Sequence, residues 1–178
     1  MGMAADIFRN LKGSGLELDI FTGTGTGTAE ADLSMPELTD IQVGSYCVMD
    51  AEYLNLGGDE GGRFDCFKPA ITLLSTVISV NRQDFVTVDA GLKQLYYTPG
   101  APPEVVGRIG GEWRYEWFGD EHGKIYHPPD ASKPSLGEII ELLLPHCDPT
   151  INLHDCIWVT RKNNVIDRWN IDLRGLGQ

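Results

Sequence analysis

Residues 73–88 consist of two apolar runs that flank a polar tetrapeptide, and they read Leu73-Leu74-Ser75-Thr76-Val77-Ile78-Ser79-Val80-Asn81-Arg82-Gln83-Asp84-Phe85-Val86-Thr87-Val88. Both runs are rich in β-branched residues, which fit the pleated surface of a sheet. The four polar residues between them are typical of a turn. The stretch therefore predicts a β-hairpin with strands over Leu73–Val80 and Phe85–Val88.

Similar signals continue towards the C-terminus. Residues Trp113–Phe118 alternate aromatic and polar side chains, as a half-buried strand does, and Lys124–His127 is its predicted partner. Strands are also predicted over Ile157–Arg161 and Val165–Ile171, where the polar residues 162–164 form the turn of a second hairpin. The chain is therefore predicted to be mainly β.

The N-terminal part of the chain predicts smaller elements. A short helix is expected over Ala4–Leu11, followed by a strand over Leu16–Phe21. Ser45–Asp50 is a further candidate strand.

Residues 135–144 are compatible with a helix or with a strand. Ser135 and Glu138 fit a helix-capping box. However, Gly137 in a first turn would cost about 1 kcal/mol relative to Ala, and Pro145 would end the helix after two turns. We therefore predict a strand over Ile139–Leu144.

The length and charge of the chain limit the kinds of protein to which it can belong. Its 178 residues suffice for one ordinary domain, and its formal net charge is -12 at pH 7. This acidity disfavours nucleic acid and anionic membrane surfaces as partners, because both attract clustered Lys and Arg. Residues 1–10 are too short and polar for a signal peptide, and no segment has the length of a membrane span. We expect a cytoplasmic protein.

The four cysteines do not form a zinc-finger pattern. Cys47, Cys66, Cys147 and Cys156 contain no Cys-x-x-Cys spacing, so a closed structural zinc site is not expected. The chain is larger than a disulfide-stapled mini-domain. Buried, reduced thiols are predicted for most of them.

Residues 145–150, Pro-His-Cys-Asp-Pro-Thr, follow the predicted strand and contain candidate metal ligands. In an extended chain, His146 and Asp148 would point to the same face and Cys147 to the other. An imidazole and a carboxylate suit manganese or zinc and leave positions for water or substrate. Alternatively, His146 only ends a strand and Asp148 begins an Asp-Pro turn.

Residues 22–28 alternate threonine and glycine. Such a segment offers accessible backbone N–H groups and hydroxyls, as an anion-binding loop requires. No Gly-Lys-Ser/Thr follows, so the segment is not a Walker P-loop, and a flexible linker is the alternative. The candidate phosphate-binding residues are Gly23, Thr24, Gly25, Thr26, Gly27 and Thr28.

Several landmarks together resemble the C-terminal half of the D-threonine aldolase and D-serine dehydratase-like family, especially in the last third of the chain. They are residues 23–28, Gly44-Ser45-Tyr46, Met49-Asp50, Thr76-Val77-Ile78-Ser79, Asp89-Ala90-Gly91-Leu92-Lys93, Glu121-His122-Gly123, residues 145–155 and Arg174-Gly175. The resemblance implies a pyridoxal-phosphate enzyme of the alanine-racemase type. It implies a remnant of the preceding α/β barrel over residues 1–30 and a C-terminal β domain over residues 31–178.

The resemblance also implies roles for the two motifs. The His-x-Asp pattern of the aldolases places a divalent ion on His146 and Asp148, with manganese favoured and zinc as the second choice. The glycine-threonine loop holds the phosphate of pyridoxal phosphate, although Thr24 stands where the family usually has glycine. The reaction implied is retro-aldol cleavage of a D-3-hydroxy amino acid to glycine and an aldehyde. Asn152 and Asp155 are candidates to orient His146, or else ordinary turn residues.

The lysine that binds the cofactor is expected outside this chain. The chain has six lysines, and none of them lies in a basic stretch like that of the family. They are Lys12, Lys68, Lys93, Lys124, Lys133 and Lys162. The chain resembles a truncated or split enzyme that needs the barrel half. We predict that it is inactive alone and forms a homodimer when complete.

Two alternatives remain open from the sequence. One is a D-serine dehydratase-like lyase in which Cys147 or Cys156 takes part in the metal site. The other is a non-catalytic β domain used for binding or assembly.

Overall fold

The computed structural model describes residues 1–57, 62–64, 66–108 and 112–176. The chain divides into two compact units, Met1–Cys47 and Val48–Gln178. Each unit has its own secondary structure.

The first unit is small and mixed. Its elements are helix α1 (Gly2–Gly13), strand β1 (Thr22–Gly23), helix α2 (Ala29–Asp32), strand β2 (Asp40–Ile41) and a 3-10 turn (Ser45–Cys47). Strands β1 and β2 pair in parallel. The predicted N-terminal helix is confirmed and is slightly longer than expected.

Two strands predicted in the first part of the chain are wrong. Regular pairing begins only at Thr22, because the Phe21 N–H is bound by the hydroxyl of Thr39 at 3.0 Å instead of by a strand. Ser45 does not begin a strand, because the Cys47 N–H donates to the Gly44 carbonyl at 3.2 Å and closes the 3-10 turn.

The second unit is built on strands. They are β3 (Thr72–Ser79), β4 (Phe85–Val88), β5 (Glu104–Val105), β6 (Arg114–Trp117), β7 (Gly123–Tyr126), β8 (Ile139–Leu143), β9 (Cys156–Arg161) and β10 (Asn164–Asn170). The first six form one antiparallel sheet in the order β5-β8-β3-β4-β7-β6. The end strands β5 and β6 contact each other, so this sheet nearly closes. The mainly β fold class is therefore confirmed.

The predicted hairpins are confirmed. Strands β3 and β4 pair antiparallel, as do β6 with β7 and β9 with β10. The strand predicted over Ile139–Leu144 is also present, as β8. The Ser135 N–H does bind Glu138 Oε2 at 2.9 Å, as in a capping box, but Gly137 has φ +83°. A right-handed helix cannot contain that backbone angle.

Two helices of the second unit, α3 (Ala51–Leu54) and α4 (Cys147–Ile151), are short. Helix α3 packs its buried Ala51 and Leu54 with Met49, Phe64 and Leu143, the last residue of β8. Helix α4 begins soon after β8. No described helix of either unit is long and apolar enough to cross a bilayer.

Candidate metal site

The end of β8 places His146 beside the start of α3. The Ala51 N–H donates to the Leu144 carbonyl at 2.9 Å, and the Glu52 N–H donates to the Pro145 carbonyl at 3.0 Å. These two bonds fix the segment that leads into His146. His146 is the N-cap of α4, with an extended backbone (φ −142°, ψ 125°).

Asp50 is the buried carboxylate of this site. Its Oδ1 accepts the Tyr53 N–H at 2.9 Å, which caps α3. Its Oδ2 accepts the Cys147 N–H at 2.8 Å and lies 3.0 Å from His146 Nδ1. Asp50 is completely buried, whereas 22% of the His146 side chain is exposed. The carboxylate therefore joins the starts of both short helices.

Two further side chains border His146. Glu52 Oε2 lies 3.6 Å from His146 Nδ1, and the Tyr53 ring meets the imidazole edge-on with centroids 5.7 Å apart. The imidazole thus has acidic groups near one nitrogen and an aromatic neighbour.

The described residues include a group of three potential metal ligands, Asp50, His146 and Cys147. One ligand atom from each of these residues lies within 4.8 Å of the other two. A set that includes the Cys147 sulfur fits zinc by its chemistry, whereas manganese would suit the nitrogen and oxygen donors without the sulfur.

The extended geometry expected across residues 146–148 is wrong beyond His146. Helix α4 begins at Cys147, and its sulfur lies near His146 rather than facing away from it. Asp148 is exposed, and its Oδ1 accepts a hydrogen bond from Cys147 Sγ at 3.2 Å. The assignment of His146 and Asp148 as a ligand pair stays a prediction.

Asp50 is the residue that sequence reasoning missed as a neighbour of His146. The two residues are 96 positions apart, so no local pattern connects them. Asn152 and Asp155, the residues considered for this role, have other partners: Asn152 accepts the Gly175 N–H at 2.8 Å, and Asp155 pairs with Arg174. The one available signal was Asp50 itself, an acidic N-cap within a landmark of the resemblance.

The glycine-threonine loop lies in the first unit and is held by its own threonines. Thr24 has φ +66°, a left-handed conformation that favours glycine. Its hydroxyl bonds to Thr28 Oγ1 at 3.0 Å and donates to Asp32. The buried Thr26 accepts the Tyr46 N–H at 3.1 Å. These bonds explain how a threonine is retained in a glycine conformation.

Asp32 gives the loop an unexpected negative group. The hydrogen bond from Thr24 above all, and that from Thr28, hold the pKa of Asp32 below its ordinary value. The carboxylate is therefore ionised at neutral pH, beside residues predicted to bind phosphate.

The four cysteines, all of them in the described part of the chain, form no disulfide bond. Cys147 is buried, Cys156 is intermediate, and Cys47 and Cys66 are exposed, so the prediction that most of the four are buried is wrong. Both fall in irregular or short segments where no apolar periodicity fixes a buried face.

Comparison with known proteins identifies the family. Residues 70–160 match the family model described as "Putative serine dehydratase domain". The chain belongs to this family. The chain is also 39% identical to a D-threonine aldolase of an Arthrobacter species, over 99% of this chain and 45% of that protein.

Solved structures agree with the family and with the fold. The crystal structure of D-threonine aldolase from Filomicrobium marinum is 32% identical, with a TM-score of 0.83 over 98% of this chain and 47% of that one. An alanine-racemase-like protein from Idiomarina loihiensis, 20% identical with a TM-score of 0.75 over 91% of this chain and 46% of that one, shows the fold alone. The chain spans about half the length of these relatives.

Proposed function

We propose that this chain is the metal-bearing C-terminal part of a pyridoxal-phosphate-dependent lyase that cleaves D-3-hydroxy amino acids to glycine and an aldehyde. The proposal rests chiefly on the 39% identity to a D-threonine aldolase along nearly the whole chain. The cluster around His146 supports it, because its donor atoms suit a divalent ion.

His146 and Asp148 are the proposed ligands of this ion, with manganese favoured over zinc. His146 is partly exposed and Asp148 is exposed, so both can reach an ion that also contacts substrate. When bound, the ion supplies a Lewis acid for the β-hydroxyl, and pyridoxal phosphate supplies an electron sink. The chain's own residues hold and orient these groups.

The loop over residues 23–28 is the proposed phosphate site. The hydroxyls of Thr24 and Thr28 are already bonded to each other, and both bond to Asp32, so the loop's contribution to binding phosphate is its backbone N–H groups. Asp32 would oppose an anion by charge repulsion.

The boundary between a barrel remnant at residues 1–30 and the β domain at residues 31–178 is also part of this proposal.

Two observations support the need for a barrel half that supplies the cofactor lysine. A Schiff-base lysine must lose its proton, but hydrogen bonds to Glu121 and Glu116 raise the pKa of Lys93 and of Lys124. Lys133 is engaged as well, because its Nζ donates to the Val80 carbonyl at 2.7 Å. The first observation is therefore that these three lysines are not placed to bind the cofactor.

The second observation is exposed apolar surface on an isolated hairpin. Strands β9 and β10 form a separate two-stranded sheet, and such a hairpin is marginal by itself. Trp158 is 60% exposed and Trp169 is 57% exposed. Trp158 pairs with Arg168 and Trp169 pairs with Ile157, so the two indoles lie on opposite faces of the hairpin. Large exposed apolar side chains on both faces are characteristic of contact with another segment or subunit. We propose that the barrel half or a second subunit covers it in a homodimeric, cytoplasmic enzyme.

The metal assignment is tested by titrating Mn²⁺ into the 178-residue chain and following free Mn²⁺ by electron paramagnetic resonance. His146→Ala and Asp148→Ala should each weaken binding by about 100-fold or more, because each removes one of two protein ligands. Asp130→Ala, which alters an exposed carboxylate elsewhere, should bind like the wild type.

The same titration separates the alternatives. A dehydratase-like site is favoured by the position of Cys147 in the ligand group. It would prefer Zn²⁺ and lose affinity in Cys147→Ala but not in Asp148→Ala. Wild-type chain that binds no divalent ion specifically would overturn the metal site and favour a non-catalytic β domain.

A further inference from the structure

The two ring nitrogens of His146 have different surroundings. Asp50 Oδ2 lies 3.0 Å from Nδ1. Among the residues that the structure describes, none hydrogen-bonds to Nε2, and 22% of the side chain is exposed. We infer that Asp50 is a positioning residue that holds the His146 imidazole with its proton on Nδ1 and presents Nε2 as the ligand atom. The inference rests on the proposed metal site and assigns a role to a residue outside it.

The direction of the Asp50–His146 bond follows from the other donors at the carboxylate. Oδ1 accepts the Tyr53 N–H at 2.9 Å, and Oδ2 accepts the Cys147 N–H at 2.8 Å. Both oxygens of the Asp50 side chain therefore already act as hydrogen-bond acceptors. The third neighbour, His146 Nδ1, must then donate. With the N–H on Nδ1, the lone pair available to a metal ion is that of Nε2.

The backbone keeps this arrangement in place. Residue 51 is bonded to residue 144 and residue 52 to residue 145, so Asp50 and His146 lie on two segments joined by main-chain hydrogen bonds. Asp50 is completely buried, which removes water as a competing acceptor. The imidazole is therefore oriented before any ion binds. This pre-organisation reduces the cost of binding the ion.

A different arrangement of the same three residues predicts the opposite tautomer. If Asp50, His146 and Cys147 bound an ion together through Nδ1, the ring proton would lie on Nε2. The Cys147 N–H argues against this, because it already donates to the Oδ2 atom that would bind the ion. The tautomer of His146 therefore separates a positioning role from a ligand role for Asp50.

The test is long-range ¹H–¹⁵N correlation NMR on the metal-free, ¹⁵N-labelled 178-residue chain at pH 8, where an ordinary imidazole is neutral. The spectrum of His146→Gln assigns the His146 signals. We expect the Nδ1–H tautomer for the wild type. Asp50→Asn should shift the ring towards Nε2–H, because an amide offers one oxygen and an NH₂ group to three converging donors. Glu52→Gln, which changes the more distant neighbour, should leave the tautomer unchanged.

Mn²⁺ binding by the same variants gives the second readout. Asp50→Asn should bind Mn²⁺ about 10- to 100-fold more weakly than the wild type, as expected for loss of a group that orients a ligand. Glu52→Gln should keep most of the affinity. A near-ultraviolet sulfur-to-metal band with Co²⁺ that is lost in Cys147→Ala would show ligation by Cys147 and overturn the inference.

The outcomes distinguish this inference from the proposed function. An Nε2–H tautomer in the wild type, or an unchanged tautomer and affinity in folded Asp50→Asn, overturns the positioning role while the ligand pair stands. An Nδ1–H tautomer that depends on Asp50, in a chain that binds no Mn²⁺, supports the positioning of the ring and refutes the metal site. The tautomer of His146 is measured in the wild-type chain, which carries no substitution at Asp50. The test therefore stays decisive even if Asp50→Asn does not fold.

Discussion

Tyr115 is a buried phenol whose protonation is linked to stability. It is 3% exposed, and its hydroxyl donates to the Ala90 carbonyl at 2.8 Å. Burial raises the pKa of Tyr115 above its ordinary value of 10.0. The folded chain therefore retains this proton at a pH where the unfolded chain releases it.

This linkage predicts a loss of stability at alkaline pH. Above pH 10 the free energy of unfolding should fall with a slope approaching about 1.4 kcal/mol per pH unit, because only the unfolded state ionises. Tyr115→Phe should be about 1–2 kcal/mol less stable at pH 7, since the Ala90 carbonyl loses its donor. Its stability should decline less between pH 10 and 12 than that of the wild type.

Urea unfolding across this pH range measures both effects. The control is Tyr96→Phe, which alters a tyrosine that is 47% exposed. Equal alkaline slopes for the wild type and Tyr115→Phe would contradict the linkage.

At the residue level, the sequence shows chemical types more readily than partners. The combination of His146 and Asp148 in residues 145–150 predicted a metal site because both donor types lie in one short motif. The contact with Asp50 was not predictable in this way, since it crosses 96 positions and depends on how α3 meets the end of β8. The left-handed conformation of Thr24 was equally unpredictable, because its stabilising partner Asp32 lies in the following helix.

At the level of elements, strands β6 and β7 are held together by a contact that only glycine permits. A β-carbon on Gly123 would lie 2.2 Å from Cε2 of the Tyr115 ring and 2.7 Å from the Ala90 carbonyl oxygen. Gly123→Ala should therefore destabilise the chain by about 3 kcal/mol, because the ring and the backbone cannot both move away. Urea unfolding at pH 7 measures this difference.

Gly62→Ala is the matched control in the same unit. Its added β-carbon would meet no heavy atom within 4 Å, so its free energy of unfolding should change by about 0.5 kcal/mol or less. If Gly123→Ala were as stable as Gly62→Ala, the strand contact would not be as close as described.

Hairpins were the most predictable elements because their signals are local. Strands β3 and β4 are only a few residues apart, and their alternating burial matches the apolar pattern. The segment from Ser45 to Asp50 was less predictable, because Met49 packs with α3 and Val48 packs against the sheet core although neither lies in a strand. The strand preceding His146 was predicted correctly because Gly137 and Pro145 argued against a helix.

At the level of the whole molecule, sequence patterns identify a mainly β fold but not the order of its strands. The order of β5-β8-β3-β4-β7-β6 depends on pairings between distant segments, such as Thr72 with Leu143. No local pattern specifies that order. The resemblance supplied the fold class, and the length of the relatives shows how much more chain accompanies this domain in them.

The proposed need for a barrel half predicts that catalysis appears when this chain is joined to the rest of a relative. A chimera would join this chain to the part of the Arthrobacter D-threonine aldolase that lies outside the 45% matched here. With pyridoxal phosphate and Mn²⁺, we expect the chimera to release glycine from D-threonine, measured by coupled detection of acetaldehyde. The 178-residue chain alone should release none, because its lysines lack the setting of a cofactor lysine.

The His146→Ala chimera tests whether the activity depends on the proposed metal site. It should be at least about 100-fold less active than the parent chimera, which corresponds to about 2.7 kcal/mol of lost transition-state stabilisation. His127→Ala, which alters a histidine that follows β7 and lies outside the ligand group, should retain most of the activity. Cleavage of D-threonine by the chain alone would refute the need for a barrel half. An active His146→Ala chimera would instead refute the metal site, so each part of the proposal can fail separately.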